Sequence, residues 1–414
     1  MKTIKKNTNT YILALCTVII AVFVVSCNKK TSTTPIQSDV SPTAKAVVNE
    51  NNKTAIYDLI QKDLTHEYTL LSTHNDTENQ QVITEMKKNY ALQSVALVNV
   101  ARIVDRKNLL YKGDDFRYIN ATGVLDKKYT VMSTDGDFYH VKASVYYYMP
   151  TNDTYEGLDP SDTRKNGQPV TTEGYEAFEY TVIDSNGVYF IYDKSKLSDF
   201  PANTGEEQVS VLPNTNDNTP EKKTRGSYSS TAAVNFSIAY FATPPSTGYY
   251  NYTSSGGDCT NFLSHCLKTG GWSQVANWHW SSNGTSCNSM SCPRSPGWTG
   301  AYAFYQYITG VGSGRVISQF ADLVVPSSSS STAFVNSFNN TAWYLNKGDI
   351  IQVASTTSKS SIGHSTLVTY KKSSLNRVYV TYRTATGYLA SRDKPIKDLG
   401  SGYYLQGFKV KATY

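Results

Sequence analysis

The residues best suited to chemistry lie in the stretch Gly256-Gly257-Asp258-Cys259-Thr260-Asn261-Phe262. Two glycines permit a tight turn, and Phe262, Leu263, Cys266 and Leu267 then recur at the spacing of one buried helical face. Gly270-Gly271 closes that pattern. Asp258 is a candidate N-cap, which sets Cys259 near the positive end of the helix dipole, where a thiolate is favoured. A cysteine so placed is a candidate nucleophile, although a small buried core residue fits the same pattern. A nucleophilic cysteine needs a histidine elsewhere in the chain. His364 is the best placed, at the start of an apolar run over residues 365–370. His265 lies six residues along the same helix, and His279 falls in a tryptophan-rich loop. His66, His74 and His140 have no evident partner and read as ordinary surface or core histidines.

Two elements must position this pair: a helix from Cys259 and a strand beginning near His364. Gly348-Asp349 opens an apolar strand at 350–353, and 377–383 reads as the strand after the histidine. Residues 232–241 and 298–308 read as helices. Four of the five tryptophans, Trp272, Trp278, Trp280 and Trp298, cluster in a loop-rich region. They suggest a groove for peptide or sugar, or ordinary anchoring of loops to a core.

The N-terminal half reads differently. Apolar residues fall at helical spacing over 53–71 (Ile56, Ile60, Leu64, Tyr68, Leu71) and again over 82–104. Strand-like runs follow at 138–149, 175–183 and 188–193, the last two joined by Asp184-Ser185-Asn186-Gly187, a strong hairpin signal. Helices followed by antiparallel strands predict a small α+β domain over 52–200, whose order resembles cystatin-like rolls in topology alone. Residues 201–228, with Pro201, Pro213 and Pro220 among polar residues, read as a linker to a second domain over 229–414.

Residues 1–26 carry Lys2, Lys5 and Lys6 before an apolar core, and Ser26-Cys27 follows at once. This resembles the lipobox of bacterial lipoproteins, with Cys27 as the lipidated first residue and 27–51 as a polar tether. The expected location is the cell envelope, lipid-anchored to a membrane on its extracytoplasmic face. The three lysines leave with the signal peptide and no acid does, so the formal charge falls from +6 to +3. No basic cluster points to nucleic acid. Cys287 and Cys292 are spaced for a small disulfide loop in an oxidising compartment or for two free thiols. No second cysteine or histidine pair completes a zinc set.

Taken together, Gly257-Asp258-Cys259-Thr260-Asn261-Phe262-Leu263-Ser264-His265, Gly270-Gly271-Trp272, Gly348-Asp349-Ile350-Ile351 and His364-Ser365-Thr366-Leu367-Val368 resemble the bacterial amidase-domain family. That family is kin to NlpC-type and CHAP-type cell-wall cysteine peptidases. The resemblance spans roughly residues 230–400 and implies a papain-like α+β domain, with helices packed on an antiparallel sheet. It further implies no cofactor and amide substrates among peptidoglycan stem peptides. Cys259 would attack and His364 would exchange the proton, with Asp258 and Asn261 as motif residues beside the oxyanion position. The family's third position, a His-Thr pair on the strand after the histidine, falls here on Arg383-Thr384. Arg383 occupies the place of the orienting residue yet offers no acceptor to an imidazole N–H. Asn376, Thr381 and Tyr382 are the alternatives. Two other functions share these features: a non-catalytic envelope protein binding peptide or glycan, and acyl transfer to amines.

Overall fold

The helical spacing at 53–71 becomes helix α1 (Glu50–Ser72), with Ile56, Ile60, Leu64, Tyr68 and Leu71 buried along one side. Asn49 caps it by accepting the Asn51 amide. This is seen in a computed structural model that describes residues 48–112, 116–198, 226–253, 258–280, 294–372, 376–385 and 389–414. The predicted signal peptide, Cys27, most of the tether and of the linker, and the Cys287 and Cys292 pair lie outside the described residues. No described helix is long and apolar enough to cross a membrane.

The second helical pattern, expected as one run over 82–104, is two helices, α2 (Asp76–Lys87) and α3 (Gln93–Tyr111). The break has a physical cause. The Ala91 amide donates to the Ile191 carbonyl and the Ile191 amide to the Asn89 carbonyl, at 2.9 and 2.8 Å. A strand edge thus takes backbone groups that a continuous helix would bond internally.

The strands β1 (Thr122–Leu125), β2 (Val131–Asp135), β3 (Phe138–Thr154), β4 (Pro169–Ser185) and β5 (Val188–Lys196) follow. The β4–β5 hairpin turns through Asn186 and Gly187 at φ 57° and 83°, as the Asn-Gly pair predicts. Beyond them come α4 (Ser230–Tyr240), α5 (Cys259–Thr269), α6 (Pro296–Thr299), α7 (Ala301–Thr309), β6 (Val316–Val324), α8 (Thr332–Ala342), β7 (Ile350–Ala354), β8 (Ile362–Lys372), β9 (Arg377–Ala385), β10 (Leu389–Pro395) and β11 (Tyr404–Val410).

Residues assigned from sequence to two domains contribute to one antiparallel sheet. Its order is β1-β3-β4-β10-β9-β8-β7-β11-β6, with β2 beside β3 and β5 beside β4. The long strand β4 makes the join. Its C-terminal half pairs with β5, while Glu173, Gly174 and Tyr175 pair with Arg392, Ser391 and Ala390 of β10. Gly174 permits this approach, because a Cβ there would collide with the Ala390 carbonyl.

The helices α1–α3 bury the inner face of β3, namely Tyr139, Val141, Ala143, Val145 and Tyr147, together with Tyr370 and Tyr379 from β8 and β9. In the other half both sheet faces are covered. Helices α4, α5 and α7 pack on Ile350, Leu367, Ala390 and Phe408, while α8 covers Val353, Val368, Val380 and Tyr382. Strands β7 and β9 are consequently buried almost end to end.

Buried ion pairs cross the join. Arg164 binds Asp393 of β10 at 2.8 Å, and Asp393 also accepts from Tyr155 and Thr369. Arg106 of α3 holds Asp398 through two nitrogens. Within the N-terminal half, Lys194 lies between Asp63 and Glu67, 2.6 Å from each, with all three side chains inside. Burial alone would raise the Glu67 carboxyl, but Arg102 and Lys194 outweigh it and hold it at about 2.

Candidate active site

Helix α5 begins at Cys259, as the apolar spacing predicts; the glycines of the expected turn, Gly256 and Gly257, lie outside the described residues. The expected apolar side is buried, and so are Thr260, Asn261, Ser264 and His265, because this helix is wrapped on all sides. As the first helical residue, Cys259 has an N–H with no preceding turn to bond inside the helix. Cys259 is 8% exposed, and its Sγ lies 3.9 Å from the Gly363 carbonyl oxygen. The next residue, Thr260, brings Oγ1 to 3.0 Å from Ser365 Oγ. These two contacts bracket His364.

A bulge prepares that strand. Val353 pairs with His364 and Ala354 with Ile362, so Gly363 is an extra residue in β8. Such an insertion re-aims the neighbouring side chain and is common beside active sites. His364 is almost wholly buried. Its ring meets Tyr382 edge-on at 5.1 Å, and Nδ1 lies 3.5 Å from Thr384 Oγ1.

Thr384 therefore stands beside the imidazole, and Arg383 does not occupy the expected place. Consecutive strand residues face opposite sides, so the two members of the pair serve different partners. Arg383, fully buried, brings Nε to 3.4 Å from Asp258 Oδ2 and Nη1 to 3.4 Å from the Tyr240 carbonyl. Of the alternatives, Asn376 donates to Asn340, Thr381 pairs with Thr369, and Tyr382 offers its ring. Strand parity separates Arg383 from Thr384 but does not say which of them faces His364; the pairing of β8 with β9 decides that.

Asp258 caps α5 in position but makes no side-chain capping bond. Its carboxylate instead accepts from the Tyr249 hydroxyl, the Tyr252 amide at 3.1 Å and Asn261 Nδ2 at 2.8 Å. Burial raises its carboxyl above the usual range, opposed by Arg383 and by these donors. Its amide donates to the Thr384 carbonyl at 2.9 Å, tying the helix start to β9. Asn261 is structural: Oδ1 accepts Trp298 Nε1 at 2.8 Å, and Nδ2 also donates to the Tyr250 carbonyl.

The tryptophans do not line a groove. Trp272, Trp278, Trp280 and Trp298 are each at most 3% exposed and join one core. Trp278 Nε1 donates to Ser264 Oγ, which itself donates to the Trp298 carbonyl. The Arg315 guanidinium packs against Trp272, Trp278, Tyr307 and Tyr414. Clustering in sequence reported a shared core and carried no information about which faces were open.

His265 sits within this core against Phe236, Tyr249, Trp280 and Trp298. Burial, then Lys268 and Arg383, lowers its pKa to about 3, so the ring is neutral. His279 approaches the Ala276 carbonyl at 2.8 Å. Cys266 is a buried thiol pushed well above its usual range by desolvation. Asp349 receives the Asn346 and Val410 amides at 2.6 and 2.8 Å, which explains Gly348-Asp349 as a strand anchor.

Residues 227–410 match the family model described as "Putative amidase domain", a span a little under half the chain. The match supports an amidase-domain family for this segment and hydrolysis of amides as its general activity. No curated protein and no solved structure matches the chain.

Proposed function

We propose that the protein is a cysteine amidase or peptidase with Cys259 as nucleophile and His364 as base, built on a papain-like arrangement. One observation carries the reading: Cys259 opens a buried helix with Sγ against the residue preceding His364, while Thr384 Oγ1 lies beside His364 Nδ1. His364 takes the thiol proton, the thiolate attacks the amide carbonyl, and the developing oxyanion faces the Cys259 N–H. His364 then returns the proton to the leaving amine. Water, deprotonated by the same imidazole, releases the acyl group as a carboxylic acid. Thr384 holds the ring in a productive orientation and tautomer.

The substrate class we infer is the stem peptide of the cell wall, reached from a lipid anchor at Cys27 on the extracytoplasmic side of a membrane. The lipobox-like Ser26-Cys27 and the polar residues after it support that location. The test is release of new amino groups from purified cell-wall material by the full chain. Wild-type protein is expected to release them, and the Cys259→Ala and His364→Ala variants to release none. Release by all three would overturn the assignment of the pair.

A further inference from the structure

We propose that Arg383 is a positioning residue for Cys259, acting through the Asp258 carboxylate. The proposal rests on the amidase reading and adds a role for a residue that departs from the family's pattern. Strand β9 grips the start of α5 at two consecutive positions. The Thr384 carbonyl accepts the Asp258 amide at 2.9 Å, and Arg383 Nε meets the Asp258 carboxylate at 3.4 Å. Both ionic side chains are completely buried. The carboxylate is also fixed by the Tyr249 hydroxyl, the Tyr252 amide and Asn261 Nδ2. The Arg383 guanidinium centres 5.3 Å from the Tyr249 ring. Asp258 is therefore held in place from the strand, the preceding loop and its own helix, one residue before the nucleophile.

The charge matters as much as the geometry. A carboxylate adjacent to Cys259 opposes formation of a thiolate there, since like charges at short range disfavour ionisation. Arg383 offsets that repulsion from a site that water does not reach. An uncharged residue at 383 would leave Asp258 buried without its cation, a costly arrangement relieved by protonation or by movement of the helix start. Thr384 and Arg383 thus divide two tasks between neighbouring residues: one faces the base, the other the segment bearing the nucleophile.

Alkylation of Cys259 by iodoacetamide, followed against pH in the full chain and located by mass spectrometry, tests this without a substrate. The variants are Arg383→Met, Asp258→Asn and the double variant, with His364→Ala beside them and circular dichroism as the folding control. Arg383→Met is expected to slow labelling at pH 7 about tenfold and to move the midpoint toward the free-thiol value of about 8.5. Adding Asp258→Asn is expected to restore labelling to within about threefold of Asp258→Asn alone, because Arg383 acts through that carboxylate. Independent, multiplying effects would overturn the proposal, as would an Arg383→Met profile that overlays the wild type. Should Arg383→Met fail to fold, Arg383→Lys decides: a wild-type profile supports the charge role, and a free-thiol profile overturns it. A wild-type profile that depends on His364 but not on Arg383 sinks only the positioning role. An ordinary thiol profile unchanged in His364→Ala sinks the amidase reading itself.

Discussion

At the scale of single residues, the division of labour on β9 separates two side chains that adjoin in sequence. Thr384 lies 3.5 Å from His364 Nδ1, and a hydroxyl can either donate to that nitrogen or accept from it. Thr384→Val keeps the shape and removes the hydroxyl. It is expected to lower kcat for amide release about 100-fold, the scale of a misoriented catalytic group, with the fold intact by circular dichroism. His265 makes a different prediction. Its folded pKa of about 3 lies below the unfolded value of 6.5, so the unfolded chain binds the extra proton in acid. The stability from keeping this ring neutral is present above pH 6.5 and is lost as pH falls toward 3, by up to about 5 kcal/mol. His265→Phe is expected to flatten the denaturation midpoint between pH 6.5 and 4. A variant whose midpoint falls as steeply as the wild type's would contradict that assignment. Cys259 and His364 stand out in the sequence as candidates because a nucleophile and a base need particular residue types, and both fall at the start of an element. Thr384 was less legible because its place beside His364 is set by the pairing of β8 with β9, which local sequence does not carry.

Among elements, periodicity marked those with one covered face, and short apolar runs marked the strands covered on both. Helix α1 announces itself because Ile56, Ile60, Leu64, Tyr68 and Leu71 share a stripe while the opposite side meets water. The inner face of β3 shows the same logic at period two. Strands such as β9, buried on both faces, lose the alternation, and the apolar run over 377–383 marked β9 instead, within two residues of the observed Arg377–Ala385. Helices α2 and α3 read as one because the ladder to Ile191 that splits them comes from a segment far along the chain. The ion cluster under α1 and β5 was equally invisible, since charge in a sequence ordinarily means a solvated face. Lys194→Met would strand Asp63 and crowd Glu67 with fewer cations. It is expected to destabilise the protein by about 3–5 kcal/mol, measured by denaturant unfolding. A loss within experimental error would show that the cluster is not closed to water.

For the whole molecule, the decisive feature is the short ladder between β4 and β10. It joins strands from both halves, and the Arg164–Asp393 pair locks it from inside. Only three residue pairs make that ladder, too few to leave a mark on local composition. Strand β9, which carries Arg383 and Thr384, is the immediate neighbour of β10, so one strand separates it from β4 of the N-terminal half. Asp393→Ala would leave Arg164 with Asp162 alone and take the acceptor from the buried Tyr155 and Thr369 hydroxyls, and is expected to cost about 1–3 kcal/mol. Unfolding monitored by tryptophan fluorescence, which reports the C-terminal half, and by amide exchange in α1–α3 should then shift together. Separate transitions in the two halves would contradict this coupling.

The claim on which the rest depends is that Cys259 and His364 form a working pair. The most direct measurement is the rate of Cys259 alkylation against pH in the full chain, compared with His364→Ala. The pair predicts rapid labelling well below pH 8.5 that is lost in the variant. Slow labelling that rises only near pH 8.5, with the same profile in both proteins, would contradict it.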